Sequence, residues 1–241
     1  MVIKNEKSPW IHLDLSYWEN LLTDQTPRLY RKKTFLFQNG DAADYVYIIK
    51  SGRVRVTYYG EDGNEKQLYI GEAGSICGEL DCIQNQPYNA SALAIVDSEV
   101  FCLPYKILEN QLQKNWSLTK KLMQVICRKS YIFTEQILEL SFNQSAQRVA
   151  RILLNIAAEY GQDMPDGGVR IKIKFTHQDI ATMINISRVT TNNIINDFCD
   201  KGIIAREEGY YILKDTAKLQ DCILKDENQG YPVRQTSIVP K

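Results

Sequence analysis

Positions 187 to 193 hold six side chains suited to the edges of base pairs: Ser187, Arg188, Val189, Thr190, Asn192 and Asn193. A guanidinium can hold guanine O6 and N7 through two hydrogen bonds. An asparagine amide can do the same at adenine N6 and N7, and a valine packs on a thymine methyl. Thr190, with the N-terminus of the helix that would carry it, suits phosphate. Thr176, His177 and Gln178 open a shorter helix upstream and complete the candidate DNA-binding set.

Such side chains reach bases only if their helix is held out to enter a major groove. The flanking sequence predicts that scaffold. Thr176 caps the first helix, with Asp179 three residues on in the capping-box position. Ile180, Ala181 and Ile184 form its apolar face, and Asn185 tolerates the positive φ of a tight turn. Ile186 is an apolar anchor. Ser187 caps a second helix, Arg188 to about Asp200, with Ile194, Ile195 and Phe198 facing inward, and Lys201-Gly202 ends it. Ile203–Arg206 and Tyr210–Leu213 flank Glu207-Glu208-Gly209, which reads as strand, turn, strand. Helix, turn, helix and hairpin make a winged helix-turn-helix.

Upstream, a helix capped by Ser145 runs to Tyr160 and is closed by Gly161. A strand follows in which Val169, Ile171, Ile173 and Phe175 alternate with Arg170, Lys172 and Lys174, giving an apolar inner face and a basic outer one. Small three-helix modules also serve as protein–protein adaptors. The order of Thr cap, Asn turn, Ser-Arg start and wing favours DNA.

Between Tyr30 and Pro104 the signals are for short strands: Thr34–Phe37, Tyr45–Ile49, Arg53–Tyr58, Gln67–Ile70 and Val96–Leu103. Gly-bearing turns separate them, which points to a barrel or jelly roll. From Trp116 to Leu140 there is neither Gly nor Pro. Met123, Ile126, Ser130, Phe133, Ile137 and Leu140 recur at spacings of three and four, a seam for the same helix of a second copy. Leu118, Leu122, Val125 and Ile132 form a second stripe for the barrel. A helix buried in a monomer core is the competing reading.

The fold class is therefore α+β: an N-terminal double-stranded β-helix (jelly-roll) sensory domain over 1–115, a dimerisation helix over 116–141, and a C-terminal winged helix-turn-helix over 142–225. A flexible tail is expected over 226–241. The composition is globular, 44% hydrophobic and 24% charged, with a formal net charge of zero, so DNA affinity must come from local charge. A polar start and no long apolar run predict a soluble, cytoplasmic protein with no membrane partner. Six scattered cysteines read as reduced thiols. Two histidines, both outside the barrel, cannot supply a cupin metal site, and no nucleophile–base pair or phosphate loop is present. No cofactor, metal or catalysis is expected.

At this point the chain resembles the Crp/Fnr superfamily of transcription regulators over nearly its whole length. The resemblance rests on Asn39-Gly40-Asp41, Tyr47–Val54, Glu61-Asp62-Gly63, Gly78-Glu79, Ala90–Ala94 and Asp97–Val100 in the barrel. It continues through Arg148-Val149-Ala150, Thr176, Ile180-Ala181, Ser187-Arg188 and Lys201–Ile204. It implies a homodimer on inverted-repeat DNA, with RNA polymerase as a further partner that no motif here marks. Members that bind cyclic AMP hold its ribose with the Glu of Gly78-Glu79 and its phosphate with an Arg some ten residues on. Here that place is Tyr88-Asn89, and the adenine-contacting pair falls at Phe133 and Thr134, so cyclic AMP is not the expected ligand. No Cys precedes Cys77, which speaks against the family's iron–sulfur cluster. Members that read guanine-containing half-sites do so with a Glu and an Arg. Those positions are Val189 and Asn193, which predicts a more A·T-rich half-site.

Three readings of the control signal stand, in this order: a small molecule near Gly78, Glu79, Asn89, Ser91, Phe133 and Thr134; redox sensing by Cys77 and Cys82; and no effector. The rival to a regulator is an interaction or signalling module with a cyclic-nucleotide-like domain and no specific DNA binding.

Overall fold

Alternating apolar residues and left-handed turn positions lay down the first half of the chain as short strands. The computed structural model describes residues 8–61, 63–165 and 167–224; the tail expected over 226–241 lies outside them. The elements of the first half are β1 (Trp10–Ile11), a 3-10 turn (Leu15–Trp18), α1 (Glu19–Leu22), β2 (Arg28–Tyr30), β3 (Phe35–Phe37), β4 (Tyr45–Ser51), β5 (Val54–Tyr59), β6 (Glu65–Gly71), β7 (Ile76–Cys77), α2 (Glu79–Gln84), β8 (Ser91–Ala94), β9 (Ser98–Pro104), α3 (Tyr105–Lys114) and α4 (Trp116–Phe142). The strands form two sheets, ordered β1-β6-β5-β8-β3 and β2-β9-β4-β7, that enclose one core. This is the expected jelly roll.

Several elements were not expected. β1 adds a parallel edge to β6, with Trp10 opposite Ile70, and the buried Trp18 donates its indole N–H to Gly74 O at 2.6 Å. β2, α1, α2 and α3 also lie outside the strand pattern read from sequence. The last barrel strand begins at Ser98 rather than Val96.

The long helix is 27 residues, as its freedom from Gly and Pro predicts. Leu118, Leu122, Val125 and Ile132 are buried in the barrel core. The seam is more exposed: Met123, Ser130, Ile137 and Leu140 are exposed, Ile137 by 62%, while Ile126 and Phe133 are half-buried.

A second compact unit begins at Phe142. The elements after α4 are α5 (Ser145–Tyr160), β10 (Gly161–Asp163), β11 (Val169–Ile171), α6 (His177–Ile184), α7 (Arg188–Asp200), β12 (Ile204–Glu207), β13 (Tyr210–Leu213) and α8 (Thr216–Leu224). Their sheet runs β10-β11-β13-β12.

Three local expectations are corrected here. Ser145 is the first helical residue of α5 rather than its cap; Gln144 is the cap, and its N–H donates to the Gln147 side chain at 2.7 Å. Gly161 is not left-handed: its φ is −76°. A Cβ there would stand 2.2 Å from Ala157 O and 2.6 Å from Val169 Cγ1, so close packing demands the glycine. The strand expected to run to Phe175 is confined to Val169–Ile171, with one further bond from Lys172 N–H to Tyr160 O, opposite it in the same register, at 2.9 Å. Alternating burial still continues to Phe175, which is buried beside the exposed Lys174. No helix among the described residues is long and apolar enough to cross a membrane.

Candidate functional site

The helix-turn-helix forms through local hydrogen bonds. Thr176 N–H donates to Asp179 Oδ2 at 2.8 Å, and Asp179 N–H donates back to Thr176 Oγ1 at 3.1 Å, a reciprocal cap. Asn185 sits at φ 54° in the turn between the helices. Ser187 then caps α7 by accepting from Thr190 N–H at 3.0 Å. Thr191, Ile195 and Phe198 anchor α7 by burial; Ile194, expected inward, is only half-buried.

That anchoring decides which side chains are left facing out. Val189 and Asn193, four apart, lie on the opposite face with Asn192 at its edge, and Arg188 is exposed because it opens the helix. Arg188 and Asn193 are exposed, Asn192 is half-buried, and Val189 is 69% exposed. Ser187 and Thr190 share a 2.8 Å hydroxyl contact at the helix start. Thr176 and Gln178 are exposed and His177 is half-buried.

The wing adds residues that the DNA-binding set of the sequence did not include. β12 and β13 pair from Ile204–Leu213 to Glu207–Tyr210. Glu208 (φ 50°) and Gly209 (φ 86°) form the two-residue turn, matching the twist of a hairpin. Tyr210 has Lys174 Nζ 4.8 Å and Arg170 5.0 Å from its ring centre. Arg206 Nη1 lies 2.9 Å from His177 Nε2. A cleft of about 680 Å³ is lined by Lys174, Thr176, His177, Arg188, Asn192 and Arg206, among others. It brings part of the recognition helix, the start of α6 and the wing onto one positive surface. Arg206 stood in the expected wing strand with no local sign of this role, since its partner is 29 residues away.

In the barrel, Glu79 opens α2 and is fully buried. Its partner is Lys129 of α4, whose Nζ donates to Glu79 Oε1 at 2.6 Å, to Ile76 O at 2.8 Å and to the Tyr69 hydroxyl at 3.1 Å. All three ammonium protons are thus engaged. Glu79 Oε2 has no hydrogen-bond partner among the described residues. Burial, and then the Glu79 carboxylate, push the Tyr69 phenol well up. Phe133 packs beside Tyr69, ring centres 6.4 Å apart. Gly78, Glu79 and Phe133 therefore gather around one buried polar cluster that the sequence reading lacked Lys129 to complete. Lys129 sits four residues after Val125 and three before Ile132, so a charge in an apolar stripe was the available sign.

The other expected effector residues do not join that cluster by any direct bond seen here. Ser91 is buried and accepts from Asn39 N–H at 2.9 Å. Asn89 is exposed, and Thr134 is exposed with its hydroxyl on Ser130 O.

The redox reading loses its chemistry. Cys77 and Cys82 are both buried, and burial pushes each thiol up to about 12. Thiolate is the reactive form. Iodoacetamide at neutral pH is expected to modify the exposed Cys127 and to leave Cys77 and Cys82 intact in the folded protein, read by peptide mass spectrometry. Labelling of Cys77 or Cys82 at the rate of Cys127 would reverse this conclusion.

A jelly roll carrying a long helix, followed by a capped helix-turn-helix and wing, defines a DNA-binding transcription regulator of the cyclic-nucleotide-binding-barrel type. Residues 27–115 match the cyclic nucleotide-binding domain, and residues 147–222 match the Crp-like helix-turn-helix domain. The chain is similar to the anaerobic regulatory protein of Bacillus subtilis, 28% identical over 227 residues covering 94% of each protein. It is also similar to the CRP-like cAMP-activated global transcriptional regulator of Mycobacterium tuberculosis, 27% identical over 184 residues, 76% of this chain and 82% of that one. A solved CooA mutant from Carboxydothermus hydrogenoformans matches with a TM-score of 0.71 at 26% identity, covering 84% of this chain and 89% of that one. The chain belongs to the Crp/Fnr family of transcription regulators.

Proposed function

We propose that this protein is a homodimer that binds an A·T-rich inverted repeat and is controlled by a small molecule other than cyclic AMP, held between the barrel and α4. The observation that carries the DNA half is the start and outward face of α7, where Arg188, Val189 and Asn193 are exposed, with Asn192 beside them, while Thr191, Ile195 and Phe198 anchor the helix. The site residues are Thr176, His177, Gln178, Ser187, Arg188, Val189, Thr190, Asn192 and Asn193, with Lys174 and Arg206 added from the connection to α6 and the wing.

The effector half is supported by Glu79 Oε2, which lacks a partner among the described residues and which a donor on a ligand would satisfy beside the middle of α4. A ligand there that contacts α4 shifts populations only by binding one helix position better than another. Cyclic AMP is disfavoured because uncharged Tyr88-Asn89 stands where an Arg would meet its phosphate. Tyr88 is buried, its ring is stacked on Phe37 with centres 4.0 Å apart, and its hydroxyl is spent on Tyr45 O.

The dimer half is supported by the seam Met123, Ile126, Ser130, Phe133, Ile137 and Leu140, of which Met123, Ser130, Ile137 and Leu140 are exposed. Ile137→Glu places a charge where two copies would meet while leaving the barrel face untouched. Sedimentation is expected to give two chains per particle for the parent and one for the variant. The variant should bind an inverted repeat about 10²-fold more weakly, since a linked second half-site adds at least that much. A parent that sediments as a single chain, with and without DNA, would remove the dimer from this reading.

A further inference from the structure

The contact between His177 and Arg206 has a definite protonation state. A guanidinium has five donors and no acceptor. At 2.9 Å from Arg206 Nη1, His177 Nε2 must therefore be the acceptor. The imidazole is then neutral, with its proton on Nδ1.

Its surroundings maintain that state. Arg206 approaches from β12 and Arg188 from α7, and Lys174 lines the same cleft from the connection before α6. On its own helix Asp179 has an oxygen engaged by both Thr176 N–H and Thr176 Oγ1. Tyr211, whose ring centre is 5.3 Å from Arg206, and Cys199 are the other titratable groups that feel Arg206. None of the described residues lining the cleft carries a carboxylate. Burial first, and then Arg206 and Arg188, hold the imidazole below its usual range.

We propose that this cleft binds a backbone phosphate of DNA, and that His177 and Arg206 act in it as one proton-coupled unit: the phosphate takes over the guanidinium, and the released imidazole is protonated and donates to the same anion. The inference rests on the DNA-binding reading above and deepens it. Before DNA arrives, Arg206 spends a donor on a neutral ring. After it arrives, two cations face one anion, and cation–anion hydrogen bonds replace one between a cation and a neutral ring.

The consequence is linkage between DNA binding and pH. The pKa of His177 is depressed in the free protein and rises in the complex, so the complex holds more protons. The added affinity is complete below the free-state pKa and is lost as pH rises through the bound-state pKa. Each unit of difference is worth about tenfold in affinity.

The test uses the full-length protein and a fluorescein-labelled duplex of arbitrary sequence, because a phosphate contact does not depend on bases. Anisotropy titrations from pH 8 to pH 5.5 at constant ionic strength are compared for the parent and His177→Gln. Gln keeps an acceptor for Arg206 but cannot take up a proton. The parent is expected to tighten about tenfold more than the variant over this range. A direct readout comes from the imidazole signals of 13C-histidine-labelled protein. The chain has two histidines, so His177 is assigned by its loss in His177→Gln. Its titration midpoint is expected to move up by about one unit when duplex is added. Equal pH slopes in the two proteins, or a midpoint that stays or falls on adding duplex, would overturn the proton-coupled unit while leaving DNA binding intact. No duplex binding at any pH would overturn both.

Discussion

Replacing Lys129 with methionine is expected to destabilise the barrel unit by about 3–5 kcal/mol, the usual cost of stranding one partner of a buried ion pair. Lys129 and Glu79 are 1% and 0% exposed, so solvent cannot compensate the carboxylate that remains. Replacing both, with Glu79→Met added to Lys129→Met, is expected to recover most of that loss, since an apolar pair of similar volume is often as stable as the ions it replaces. Urea titrations followed by tryptophan fluorescence read the barrel selectively, because Trp10 and Trp18 are buried in it and all three tryptophans precede residue 142. A double variant no more stable than Lys129→Met would mean that the pair is not the origin of the cost. The pair also ties α4 to the barrel through Glu79, Ile76 and Tyr69. Its removal should therefore loosen α4 from the barrel.

The second large effect is expected at the recognition helix. A bidentate side-chain contact to a base contributes about 1–3 kcal/mol of discrimination. Asn193→Ala is expected to lower affinity for the preferred duplex roughly tenfold or more and to relax preference at one base pair per half-site. Because the residue is neutral, the dependence of affinity on salt should not change. Arg188→Ala distinguishes base from backbone use of the guanidinium. Loss of preference at one base pair marks a base contact. A uniform loss over all sequences, with the salt slope reduced by about one per site, marks a phosphate contact. Competition binding at two salt concentrations reads both variants. If neither alters sequence preference, the exposed face of α7 is not the reading head.

What was legible in the sequence was local. The reciprocal cap of Thr176 and Asp179, the left-handed Asn185 and the Ser187 cap each involve residues three or fewer positions apart or a single φ angle, and all are present. The apolar stripe of α4 was legible because helix periodicity alone selects its members. Contacts formed across the chain were not legible. Lys129 meets a carboxylate 50 positions away, and Arg206 meets a ring 29 positions away. Neither partner can be chosen without the fold. β1 was missed because its two residues carry no alternation to detect, and its strand status comes from pairing with Ile70 and Gly71. Gly161 was placed correctly for the wrong reason: its position suggested a left-handed stop, but the neighbouring Ala157 carbonyl and Val169 impose it. The missing Arg was legible at Tyr88-Asn89; only the structure shows the Tyr88 hydroxyl and ring committed elsewhere.

The most direct test of the account is selection of bound DNA from a random duplex pool by the full-length protein, in reducing buffer at near-physiological salt. The predicted result is an enriched inverted repeat with A·T-rich half-sites about one helical turn apart, as the α7 residues Val189 and Asn193 imply in a dimer. A pool that stays random, both alone and after repetition with candidate small molecules, would contradict it and favour a binding module without sequence-specific DNA recognition.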